Sequence, residues 1–123
     1  MNDATWPWLI LVPQRPGVGA PWVREIFELA PADRALLIEE VALVSEALHD
    51  LFRPDKIPDK INVGALGNLV PQLHVHVIAR FATDPAWPAP VWGKSTPVPY
   101  EAAPLADLQS RLAARLGAAL SPG

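Results

Sequence analysis

Seven consecutive residues, Gln72-Leu73-His74-Val75-His76-Val77-Ile78, carry most of the chemistry legible in this chain. On an extended segment successive side chains point to opposite faces, so Gln72, His74 and His76 share one face while Leu73, Val75 and Val77 share the other. Burying an amide and two imidazoles in a row is costly unless each finds a hydrogen-bond partner, so this face is read as meeting water or a polar ligand. An imidazole near neutral pH is a competent nucleophile towards phosphorus, provided its second ring nitrogen gives its proton to a fixed acceptor. The backbone carbonyl of Gln72 is such an acceptor for His74. A zinc or non-haem iron site would need a third and often a fourth His, Cys or carboxylate, and the segment offers only Gln72 beside its two rings, so no metal is assigned here.

The loop ahead of these residues, Gly64-Ala65-Leu66-Gly67-Asn68-Leu69-Val70-Pro71, has glycines that permit close backbone approach and an asparagine amide, an arrangement that suits a phosphate. Developing phosphoryl charge needs donors. Asn62, Asn68, Gln72, His76 and the loop N–H groups are the expected ones, with no arginine close by. A glutamine donates from its amide but carries no proton on demand, so Gln72 can hold an oxygen and cannot act as acid or base.

The elements that position these groups follow from periodicity and punctuation. Trp8 to Val12 is a continuous apolar run between Pro7 and Pro13, which predicts a strand buried on both faces. Gln14 to Arg24 is a loop broken by Pro16, Gly17, Gly19 and Pro21. From about Asp33 to Phe52, Leu37, Val41, Val44, Leu48 and Leu51 recur at steps of four and three, which predicts the main helix, with Pro31 near its start and Pro54 after its end. His49 lies outside that apolar face and is read as a surface residue. A tandem repeat, Pro54-Asp55-Lys56-Ile57 then Pro58-Asp59-Lys60-Ile61, is read as a duplication in a surface connection. Residues 61–65 and 72–81 are read as strands, and Ala103 to Leu120 as a final helix with leucines at 105, 108, 112, 116 and 120. Trp6 and Trp8 are read as packing residues. Trp87 and Trp92, in a proline-rich stretch, divide between local packing and a place at the pocket or a subunit interface.

Composition excludes several classes. A chain of 123 residues, half of them apolar and 19% charged, is neither disordered nor a two-domain enzyme, and no apolar run approaches the roughly 18 residues of a membrane span. Ten Lys and Arg against 13 Asp and Glu argue against backbone-driven nucleic-acid binding. With no cysteine there is no disulfide framework, zinc knuckle or thiol nucleophile, and a cytoplasmic location is expected.

Gln72 to Ile78 resembles the histidine-triad (HIT) signature, in which three histidines alternate with apolar residues and two more apolar residues follow. Lys60-Ile61-Asn62-Val63 with the Gly/Asn loop is similar to the family's approach to that strand, and Asn2-Asp3 followed by Trp8 to Pro16 is similar to its earlier strand and turn. The resemblance spans about residues 2 to 92 and implies one HIT-like domain over 1–123. The implied fold is α+β, a mainly antiparallel sheet with the long helix on one face, the histidine face open to ligand, and a C-terminal helix. It implies a nucleotide hydrolase or nucleotidyl transferase acting on nucleoside phosphoramidates or dinucleoside polyphosphates through a nucleotidyl-histidine intermediate. His74 falls on the nucleophile and His76 on the last histidine, which binds phosphate and helps the leaving group. Asn62 and Asn68 fall on positions that hold phosphate or leaving-group oxygens, Gly67 and the backbone at Leu69 on the loop around them, and Asn2 and Asp3 where the family contacts ribose. The first triad position is Gln72, so turnover is expected to be weakened rather than abolished, and a nucleotide-binding protein with little turnover is the alternative. Family members usually carry a further strand ahead of Asn2-Asp3, lining the base pocket, and the chain starts where it would end. The expected partners are a nucleotide and a second copy in a homodimer, with no nucleic acid and no membrane. No cofactor is assigned, and a role for a divalent ion such as Mg²⁺ stays open.

Overall fold

A computed structural model of the protein describes residues 2–117 and arranges them as a three-stranded antiparallel sheet with two helices, the α+β class expected. In chain order these are β1 (Trp8–Leu11), α1 (Pro31–Asp50), β2 (Lys60–Gly64), β3 (Val75–Arg80) and α2 (Ala102–Leu116), with one 3-10 turn at Ile26–Glu28. The strand order is β1-β3-β2. β3 is therefore the centre, and all six of its residues are buried.

Helix α1 starts on Pro31, where the missing N–H costs nothing because that group has no intrahelical partner. Its apolar stripe, Leu37, Val41, Val44 and Leu48, is buried together with Leu51 just beyond the helix, and packs on Val75, Val77 and Ala79 of β3. Helix α2 adds Leu112 and Leu116 to the same core, and Arg111 donates to the Leu51 carbonyl at the end of α1, where helix carbonyls lack partners. The expected extension of this helix to Leu120 lies outside the described residues.

Three expectations are corrected. β1 is an edge strand rather than one buried on both faces: Ile10 is 38% exposed, and Val12 just past the strand is 42% exposed. An apolar run marks extended structure without fixing its place in the sheet. β3 begins at Val75, not at Gln72, because its ladders end where Leu11 pairs with Val75 and Gly64 with His76, leaving Gln72 to His74 no strand to pair with. The histidine face, open to a cleft at His74, is also covered beyond it. Trp6, Ile78, Ala86 and Val91 form a second apolar cluster on it, with Trp8 and Trp92 packed against them.

A buried ion pair holds that cover down. Arg80, 1% exposed, donates from Nε and Nη2 to the two Asp84 oxygens at 2.8 and 3.1 Å, and from Nη1 to Asn62 Oδ1 at 2.8 Å. Asp84 in turn accepts from the backbone N–H groups of Phe81, Ala86 and Trp87, which sets the turn that carries the proline- and tryptophan-rich stretch back over the sheet. Burial works to raise the Asp84 pKa, but these donors outweigh it and hold the carboxyl well below its usual range. The second copy of the tandem repeat belongs to the same corner. Asp59 donates its N–H to the Arg80 carbonyl and accepts from Ala82, so this copy opens β2 while the first makes the turn after α1.

Candidate active site

His74 sits one residue ahead of β3 and His76 two residues further on, with ring centroids 4.9 Å apart and planes at 75°. The His74 Nδ1 donates to the Gln72 carbonyl at 2.6 Å. A carbonyl only accepts, so this contact puts the proton of neutral His74 on Nδ1 and leaves the lone pair on Nε2. Gln72 thus serves through its backbone. His76 is 5% exposed, flanked across the sheet by Ile10 on β1 and Gly64 on β2. Trp8 donates from Nε1 to His76 Nδ1 at 2.9 Å. Trp92 covers the same ring with centroids 5.3 Å apart. Gly64 makes room for it, since a Cβ there would lie 3.3 Å from Trp92 Cη2. Burial first, and the neighbouring His74 second, lower the His76 pKa, which keeps that ring neutral near pH 7.

His74 lines a cleft of about 170 Å³ whose other walls include Arg24, Ile26, Phe27, Leu66 and Gly67. Gly67 has φ +69°, the left-handed region that a side chain resists, and this turns the 64–71 loop around the mouth. Of the residues expected at the site, His74 and Gly67 line this cleft, His76 lies behind it with its ring edge-on to that of His74, and Asn68 and Leu69 stand exposed on the loop, Leu69 at 96%.

Others lie elsewhere. The Asn62 Oδ1 is taken by Arg80, so this residue braces the wall of the histidine face. Asp3 is buried and accepts from the N–H groups of Thr5 and Val98, while Asn2 accepts from the Tyr100 N–H, so both tie the segment ahead of α2 to the start of the chain. Burial pushes the Asp3 carboxyl up, and those hydrogen bonds pull it down further than burial raises it. Asp3 also lines a separate depression with Trp8, Leu9, Ile10 and Tyr100. His49 contacts Asp50 on the outside of α1, as expected.

Sequence reasoning missed three features. Arg24 lines the cleft, contrary to the expectation of no nearby arginine. The Arg80–Asp84 pair was signalled by the alternation itself, since His76, Ile78 and Arg80 continue one face and Asp84 follows four residues on. Trp8 bonds a histidine instead of merely packing, and nothing local announces this: it depends on the register that pairs Trp8 with Ile78 across the sheet. Among the described residues no three His, Cys, Asp or Glu side chains group as metal ligands, and no helix is long and apolar enough to cross a membrane.

The HIT domain family model matches residues 1–83. Solved structures of similar chains include a histidine triad protein from Bradyrhizobium japonicum, 43% identical with TM-score 0.84, over 95% of this chain and 81% of that one. A histidine triad (HIT) protein from Sinorhizobium meliloti 1021 is 46% identical with TM-score 0.82, over 94% of this chain and 78% of that one. A histidine triad protein from Marinobacter aquaeolei VT8 is 48% identical with TM-score 0.82, over the same shares, 94% and 78%. No curated protein matches the chain.

Proposed function

The chain belongs to the HIT domain family, a family of nucleotide hydrolases and transferases, and on that premise we propose that it cleaves nucleoside phosphoramidates or dinucleoside polyphosphates through a nucleotidyl-His74 intermediate. The observation that carries this reading is the His74 Nδ1 contact to the Gln72 carbonyl, which leaves Nε2 as the nucleophilic atom of a residue that lines the cleft. Nε2 attacks phosphorus, the N–P bond forming as the bond to the leaving group breaks. A leaving amine takes a proton from solvent, and a leaving nucleotide departs as its anion. Water then attacks the same phosphorus, its hydroxyl staying on the nucleotide and its second proton passing to solvent, while the lone pair returns to Nε2.

His76 offers an N–H to a phosphoryl oxygen, and the loop N–H groups at Gly67 to Leu69 with the Asn68 amide offer more. Arg24 on the cleft wall supplies the fixed positive charge that a polyphosphate needs. Asn2 and Asp3 are the proposed ribose contacts, from the depression that Asp3 shares with Trp8 and Tyr100. The chain is proposed to act as one domain and as a homodimer, for which the exposed Leu36 and Ile38 of α1 offer apolar surface. The second reading, a nucleotide-binding protein with little turnover, draws on Gln72, which gives its carbonyl to His74 but no titratable ring.

The test is hydrolysis of adenosine 5′-phosphoramidate and of diadenosine tetraphosphate, with and without Mg²⁺, alongside calorimetric binding of AMP. The proposal expects turnover by the wild-type chain and none by His74→Ala, with AMP binding kept. AMP binding without turnover in the wild-type chain favours the second reading instead.

A further inference from the structure

Trp8 meets His76 through an atom that has only a hydrogen to give. An indole nitrogen donates and does not accept, so His76 Nδ1, 2.9 Å away, must present a lone pair. In a neutral imidazole the single ring proton then lies on Nε2. His74 is held the other way round by the Gln72 carbonyl, with its proton on Nδ1 and its lone pair on Nε2. Two rings 4.9 Å apart thus carry opposite tautomers, each fixed by a partner that has no alternative role. The His76 ring is also boxed in. Trp8 and Trp92 meet it edge-on with centroids 5.5 and 5.3 Å away, and the two indoles meet each other at 5.8 Å. Turning the ring over would take Nδ1 from its donor among the described residues, in a site with little water to replace it.

We propose that Trp8 is a positioning residue that fixes His76 as the Nε2–H tautomer, so that His76 presents a hydrogen-bond donor, and not a second nucleophile, to a phosphoryl group bound at His74. The donor half of this assignment rests on the nucleotidyl-transfer reading, while the tautomer half belongs to the free protein. His76 keeps its proton throughout: it stabilises a phosphoryl oxygen and transfers nothing. Sequence periodicity gives Trp8 a packing role, and only the cross-strand register places its N–H against the imidazole.

The test is ¹⁵N NMR of the histidine rings in the free full-length protein at neutral pH, followed by single-turnover kinetics. In the wild-type chain His76 should show an unprotonated Nδ1 and a protonated Nε2, the reverse of His74. Trp8→Phe should leave His76 as a mixture of tautomers and slow nucleotidyl transfer by about ten-fold, the scale of one lost hydrogen bond, with KM little changed. If Trp8→Phe fails to fold, β-(3-benzothienyl)alanine placed at position 8 keeps the bicyclic shape and lacks the N–H, and the same loss is expected. Protonated Nδ1 on wild-type His76, or a tautomer unchanged in both variants, overturns the assignment. The predicted tautomers in a wild-type chain that turns over no nucleotide would overturn the phosphoryl role and leave the hold of Trp8 on the ring standing.

Discussion

Two polar clusters share one face of β3, and their difference separates architecture from chemistry. At one end Arg80, Asp84 and Asn62 close on one another: every guanidinium nitrogen has a partner, both carboxylate oxygens are used, and opposite charges cancel within the core. At the other end His74 and His76 each spend one ring nitrogen on the protein, through Gln72 and Trp8, and among the described residues the second nitrogen of each makes no hydrogen bond. A buried group whose hydrogen-bonding capacity is closed internally fixes shape. One left half open, beside a cleft, can bind and react.

The largest expected effect breaks the comparison at its reactive end. His74→Ala should lower turnover by about a thousand-fold or more while the melting temperature stays close to wild type, because the ring makes one local hydrogen bond and the fold does not depend on it. The matching change at the closed end has the opposite signature. Asp84→Ala leaves a buried guanidinium without its counter-charge and frees the turn over the sheet, so denaturant unfolding should record a loss of about 3–5 kcal/mol.

His76→Ala is intermediate, removing one preorganised donor and raising the barrier by about 2–4 kcal/mol in steady-state kinetics. The two ends should also separate on a pH scale. The His76 pKa is lowered in the folded state, so the ring is neutral at pH 7, and only below the usual histidine range of about 6.5 does a proton on Nδ1 break the Trp8 hydrogen bond and disturb the site. The Asp84 pKa is lowered too, so its stabilisation is complete above about 4, the unfolded value, and is lost on further acidification. Activity should therefore fail at a higher pH than the fold, as parallel rate and circular-dichroism titrations would record. The smallest effects belong to the loop and the first triad position. Asn68→Ala should weaken AMP binding several-fold, and Gln72→His should leave activity equal or higher, both read from binding isotherms and initial rates.

The reactive end was more legible in the sequence than the end that supports it. His74 and His76 were found from alternation and residue type, and the main helix from the spacing of Leu37 to Leu51, because both signals are local. The cover over the histidine face was not foreseen, since it depends on Asp84 gathering three backbone N–H groups and the arginine four residues before it into one turn, and a turn built on hydrogen bonds leaves no period. β1 was misplaced for a related reason: Trp-Leu-Ile-Leu-Val announces a strand, while its position at the edge follows from which strands it pairs with. Asn62 was expected to face phosphate because it precedes the histidines, and the structure turns its oxygen to Arg80, a partner 18 residues away.

The central claim is that His74 Nε2 becomes the covalent site, and rapid-quench intact-mass analysis with an adenosine phosphoramidate tests it most directly. The account predicts a transient gain of one adenylyl group, labile in acid as an N–P bond is, mapping by peptide fragmentation to His74 and absent from His74→Ala. An adduct on His76 or His49, or wild-type hydrolysis by His74→Ala, would contradict it.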